Sequence, residues 1–143
     1  MKHLLFRACA IFGLTLILSG CASYSSQIEH GRSLKKIQRF FVVSNLNDNH
    51  GIDKLIAEVL RARGREADSG PLTMMPDDTQ AIVTFNDHWT WDFGDHLTFL
   101  QIAVRDTKSE QSFATATFGA KIPLHEAASD TITRVVDQLL DKK

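Results

Sequence analysis

Only two cysteines occur in 143 residues, Cys9 and Cys21, and both lie near the start of the chain. Nothing downstream can form a disulfide, act as a thiol nucleophile or build a cysteine-based zinc site. Positive charge is not in excess either: 16 Lys and Arg stand against 17 Asp and Glu. A chain without a basic surplus has little with which to neutralise phosphates, so nucleic acid is excluded as an expected partner. Prolines number three, and there is no internal repeat or low-complexity block. The longest apolar run, Ala8 to Leu18, falls well short of the ~20 residues needed to span a bilayer. Serine hydrolysis also lacks support, because Ser44, Ser69, Ser109 and Ser129 show no nucleophile-elbow context.

What the chain does have at its start is Lys2 and Arg7, then the apolar run, then Ser19-Gly20-Cys21. A positive start, a short apolar centre and a small-residue site describe a secretory signal. The competing reading, a transmembrane helix from Leu4 to Leu18, is disfavoured by its length and sharp polar stop. Leu18-Ser19-Gly20-Cys21 resembles the lipobox of bacterial lipoproteins. That resemblance implies that residues 1–20 are removed and that Cys21 becomes the lipid-bearing first residue. Ala22, rather than Asp, after the cysteine resembles the outer-membrane sorting pattern, which implies a periplasm-facing protein. Several acyl chains on one residue give stable anchoring, at ~0.8 kcal/mol per buried CH₂.

Removal of 20 residues from 143 leaves 123, one domain's worth. The basic count falls from 16 to 14 with Lys2 and Arg7 gone, against 17 acidic residues. Residues 21–36 are expected to be the lipidated cysteine and a flexible tether, since Ala22 to Ser33 is polar, Ser-rich and aperiodic. Such a tether spans roughly 20 Å as a coil. His30 falls in it as a solvent-exposed residue. Residues 37–143 are expected to form a single domain.

Within that domain, Phe40-Phe41-Val42-Val43 is a continuous apolar run, the pattern of a strand buried on both faces. Ile52, Leu55, Ile56, Val59 and Leu60 then fall on one stripe of a helix. Asn47, Asp48 and Asn49 offer caps at its start, and Gly64 closes it. His50 reads as a cap or surface residue. A short strand at most covers Arg65 to Asp68, and Met74 and Met75 are expected to plug a core gap. Phe113 to Ala120 alternates with small residues on one side, Ala114, Ala116 and Ala120, which would let a helix approach closely. Ala128, Ile132, Val135, Val136 and Leu139 give a second amphipathic helix.

The stretch from Ala81 to Arg105 carries the residues that look reactive: Asp87, His88, Asp92, Asp95 and His96, among Trp89 and Trp91. Period-two alternation puts Ala81, Val83, Phe85, Asp87, Trp89, Trp91 and Phe93 on one face. Gly94-Asp95 reads as a two-residue type II′ turn. Phe93 then opposes His96, Trp89 opposes Leu100, Phe85 opposes Val104, and Asp87 sits opposite Ile102. His88 and Asp92 share the other face but lie ~13 Å apart at strand rise, and His96 lies at the turn. Ligands held within ~2.0–2.3 Å of one ion must converge, and this hairpin scatters them. No metal, cofactor or catalytic residue is therefore expected. Asp87 interrupts an apolar face and is expected to be hydrogen-bonded, because an unpaired buried carboxylate is costly.

The expected fold is α+β: a two-layer sandwich of a mixed sheet of four to five strands with two helices on one face, in the order β-α-β-β-β-β-α. Gly64, Pro76-Asp77 and the "Asp-x-Trp-x-Trp-Asp" positions Asp87, Trp89, Trp91 and Asp92 resemble a lipoprotein family of Gram-negative bacteria with no assigned activity. At fold level the element order is similar to the small α/β domain of envelope assembly lipoproteins. These resemblances imply a lipid-anchored, non-enzymatic interaction or assembly module. Its partners would be the membrane, through lipid on Cys21, and an envelope protein docked at a sheet edge or at exposed Phe99 and Phe113. The alternatives are a small-ligand binder or hydrolase centred on Asp87, His88 and Asp92, or a purely structural component of the envelope.

Overall fold

The computed structural model describes residues 22–141; the expected signal and Cys21 lie outside them. The strands are β1 (Ala22–Ile28), β2 (Arg39–Val43), β3 (Glu66–Gly70), β4 (Ala81–Trp91), β5 (Asp95–Asp106) and β6 (Ser112–Ala120). The helices are α1 (Ile52–Ala62), between β2 and β3, and α2 (Ala128–Asp141), after β6. One mixed sheet has the order β1-β6-β5-β4-β2-β3. β2 pairs parallel to both β3 and β4, and the remaining pairs are antiparallel. The α+β class and the mixed sheet hold, with six strands rather than four to five.

The added strand is β1, in the stretch expected to be a tether. Its residues are alternately half-buried and exposed, and Ala22 through Ile28 pair with Ala120 through Ala114. Tyr24 packs on Phe118 with ring centroids 5.0 Å apart. Three serines hide an ordinary alternation in which Ala22, Tyr24 and Ile28 face inward. Among the described residues the sheet thus begins at Ala22, inside the stretch expected to be a tether.

The core lies between one sheet face and the helices. Phe40, Val42, Val83, Leu100, Ile102, Val104 and Phe118 meet Ile52, Ile56 and Leu60 of α1 and Ile132, Val135, Val136 and Leu139 of α2. Ala114 and Ala116, both buried, give α2 its close approach to β6. β2 is buried on both faces, with Phe41 and Ile82 paired outside the main cluster. α1 ends as its glycine implies: Gly64 has φ 77°, its N–H donates to Arg61 and the N–H of Arg65 donates to Leu60. Arg63 joins the helices through both oxygens of Asp137, at 2.6 and 2.8 Å.

Four further expectations change. β3 runs Glu66–Gly70, slightly later than expected. Met74 does not plug the core; it is exposed at the end of a short 3₁₀ turn, Leu72–Met74, and Met75 after it is half-buried. Phe113 is buried, with the Arg32 guanidinium 4.1 Å from its ring centre. The hairpin register also differs. Its loop is Asp92-Phe93-Gly94, with Phe93 at φ 51°, so Trp91 pairs with Asp95 and Trp89 with Leu97. A bulge follows between His88 and Trp89, after which Asp87 opposes Leu100 and Phe85 opposes Ile102. A three-residue loop with a left-handed residue replaces the two-residue turn. The bulge absorbs the odd count, so Leu97 and Leu100 are both buried although three apart.

Strands β2, β3, β4 and β6 finish at one end of the sheet, where β1 and β5 begin. The other end is polar and ion-paired. Arg39 bridges Asp78 and Glu66, and Arg32 meets Asp106 at 2.6 Å. The hydrogen bond from Arg39 holds the Asp78 carboxyl below the usual carboxylate range.

Candidate functional site

The residues with chemical potential collect where α1 begins beside the hairpin. The loop after β2 is wound by its own side chains. Asp48 accepts from the backbone N–H of His50 at 2.8 Å and of Ile52 at 2.6 Å, and more weakly from Asp53 at 3.4 Å. It thus caps α1 from four residues before the first helical position, with Gly51 at φ 67° making the turn between them. Ser44 donates to Asp53 at 2.6 Å, satisfying the one buried carboxylate of the helix.

This winding lays the His50 ring on Trp89, stacked at 3.7 Å between centroids and 10° between planes. Nε2 of His50 lies 3.3 Å from Oδ2 of Asp95. Trp89 Nε1 donates to Asp87 Oδ2 at 2.6 Å. Asp87, the interruption in the apolar face, is therefore half-buried and hydrogen-bonded, and its partner is the tryptophan two residues on. The Asp-x-Trp spacing works because i and i+2 share a face of a strand.

One ligand atom each from Asp48, His50 and Asp87 lies within 4.8 Å of the others, so the trio has the donors for a divalent cation. Donors ~2.0–2.3 Å from one ion stand at most ~4.6 Å apart, close to the bound on the separations of this trio. Both Asp48 oxygens already accept amide bonds that start α1. As it stands the cluster is a latch in which His50, stacked on Trp89 and beside Asp95, ties the β2–α1 loop to the hairpin.

The residues singled out by sequence scatter along β4. Asp87 and Trp89 belong to the latch. His88 is exposed on the other face, its ring 5.5 Å from that of Phe99. Trp91 stands 73% exposed and Phe93 96% exposed, where the alternation predicts an apolar face. Asp92 is in the turn, its carbonyl 2.9 Å from Nε2 of His96. The His96 ring in turn meets the His125 ring edge-on at 4.8 Å. Asp87, His88 and Asp92 are not brought together. His50 and Asp48 are, and sequence spacing offers no signal for it: they lie 39 residues from their hairpin partners.

No protein-family model matches the chain, and neither does any curated protein. Solved structures do. The PelC dodecamer from Paraburkholderia phytofirmans, in two crystal forms, superimposes with TM-scores of 0.61 and 0.62 at 14% and 13% identity. The match covers 85% of this chain and 99% of the PelC chain. A minor lipoprotein from Acinetobacter baumannii matches more loosely, with a TM-score of 0.29 at 7% identity over 73% of this chain and 84% of its own. At these identities the likeness is one of fold.

Proposed function

We propose that this chain is a lipid-anchored envelope protein, held at the periplasmic face of the outer membrane, that works as a non-enzymatic interaction or assembly module. The observation that carries this reading is the Leu18-Ser19-Gly20-Cys21 motif placed directly before the first strand. The polar cluster supports it, because its carboxylates are engaged in holding the fold together. Two sheet edges, β1 and β3, have unpaired backbone groups along their outer sides, and added strands pair with such edges. PelC, which has a similar fold, assembles from copies of itself. Carried to this chain, that makes a second copy the first partner to look for.

The experiment is in-cell crosslinking followed by mass spectrometry. The reading expects reproducible crosslinks from β1 or β3 to another copy or to one envelope protein. Recovery of the uncrosslinked chain alone, at native abundance, would contradict it.

A further inference from the structure

The large hydrophobic side chains exposed among the described residues are Leu46, Leu72, Met74, Trp91, Phe93 and Ile122. Trp91 is the last residue of β4 and the others follow the finish of β2, β3, β4 or β6, so all come where the chain leaves one end of the sheet. The connections at the opposite end carry Arg32, Lys35, Lys36, Asp77, Asp78, Lys108 and Glu110 instead. Scattered exposed apolar residues are normal, but their confinement to one end marks a contact surface. Trp91 and Phe93 form its most prominent part, their rings 6.0 Å apart on the hairpin turn.

The chain enters the sheet at that same end. Ala22 pairs with Ala120, and Gly119 with Phe99, which puts Ala22 on the rung of Thr98. The hairpin continues three residues beyond that rung, from Thr98 to the Trp91–Asp95 pair. At ~3.4 Å per residue the tip stands about 10 Å past the start of β1. Cys21 is covalently next to Ala22, one Cα–Cα step of ~3.8 Å away. The attachment point of a lipid on Cys21 therefore lies short of the tip along the strand direction, so a bilayer that takes up the acyl chains lies within reach of the turn. A groove of about 500 Å³ at the entry point is lined by Ala22, Phe99, Gly119 and Ala120, with Ser23, Thr98 and Lys121 as its polar members.

We infer that the Trp91–Phe93 turn, with Ile122 at the same end of the sheet, is a second membrane contact that seats in the interfacial layer of the bilayer holding the lipid. This rests on the anchored reading above. Trp and Phe are well suited to that layer. Asp92 and Asp95 in the turn offer nothing to anionic headgroups, and Lys121, next to Ile122, is the one lysine close in sequence to the contact, so the turn itself seats by apolar burial and salt changes that little.

The test uses the full chain with Phe93→Cys, and separately with Lys108→Cys at the polar end. Each is expressed in a Gram-negative host, extracted from membranes and reconstituted in vesicles of phosphatidylethanolamine and phosphatidylglycerol. The new thiol is labelled with an environment-sensitive dye, and intact mass reports acylation of Cys21. We expect quenching by acyl-chain-borne quenchers and protection from aqueous iodide, each about threefold or more greater at 93 than at 108, at low and high salt alike. Equal exposure at the two positions on acylated protein would overturn the contact and leave the anchor standing. Protection from iodide without quenching from the lipid side would overturn it too, since protein would then cover the tip. An unacylated Cys21 would remove the anchor and the inference together.

Discussion

The two halves of β4 are one strand with two different lives. Ala81, Ile82 and Val83 lie between β2 and β5 with helices beneath, and each is at most 1% exposed. From Asn86 to Trp91 the only paired neighbour is β5, and the side chains are polar or aromatic and at least partly exposed. Backbone conformation is the same in both halves. The number of layers differs, and that decides whether a side chain holds the fold together or faces outward. The first half is part of a core, whereas the second is a projecting ribbon steadied by His50, Trp89 and Asp87.

The contrast is sharpest when one deletion is made in each region. Phe118→Ala, in the core, is expected to cost ~3–5 kcal/mol of unfolding free energy through lost burial and a residual cavity. Urea denaturation would measure it. At the latch, a double-mutant cycle of Asp87→Ala and Trp89→Phe is expected to give a coupling of about 1 kcal/mol, the size of one part-buried hydrogen bond. A coupling near zero would make the Asp87–Trp89 hydrogen bond incidental. At the tip, Phe93→Ala should change stability by less than ~0.5 kcal/mol, because the side chain is 96% exposed. A loss above about 1.5 kcal/mol there would erase the distinction between core and ribbon.

The smallest effect belongs to the polar end. Arg39 lowers the Asp78 carboxyl below its ordinary value. A carboxylate depressed in the folded state adds stability above its unfolded pKa of ~3.9 and loses it as pH falls through the lower folded value. Asp78→Asn should therefore lower the denaturation midpoint slightly at neutral pH and leave it unchanged in strong acid. Both partners are substantially exposed, so salt should shrink the difference further.

Much of this architecture is legible in the sequence where local pattern and burial agree. Phe40–Val43 reads as a strand buried on both faces and is one. The α1 stripe and its closing Gly64 are both in place. The hairpin is legible as a hairpin but not in register, because Phe93 adopts a left-handed conformation that its side chain does not advertise, and a bulge then resets the count. β1 escapes a sequence reading because serine at Ser23, Ser25 and Ser26 resembles linker, while the inward Ala22, Tyr24 and Ile28 are too few to carry a strand pattern by themselves. The His50–Trp89 stack is not legible at all: it depends on β2 and β4 lying side by side, a long-range fact.

The intact mass of the protein extracted from membranes bears most directly on the anchored assembly reading. The account predicts a chain that begins at Cys21 and carries a thiol-linked diacylglyceryl group with an acylated amine. A chain that retains residues 1–20, or one that begins at Cys21 without added mass, would contradict it.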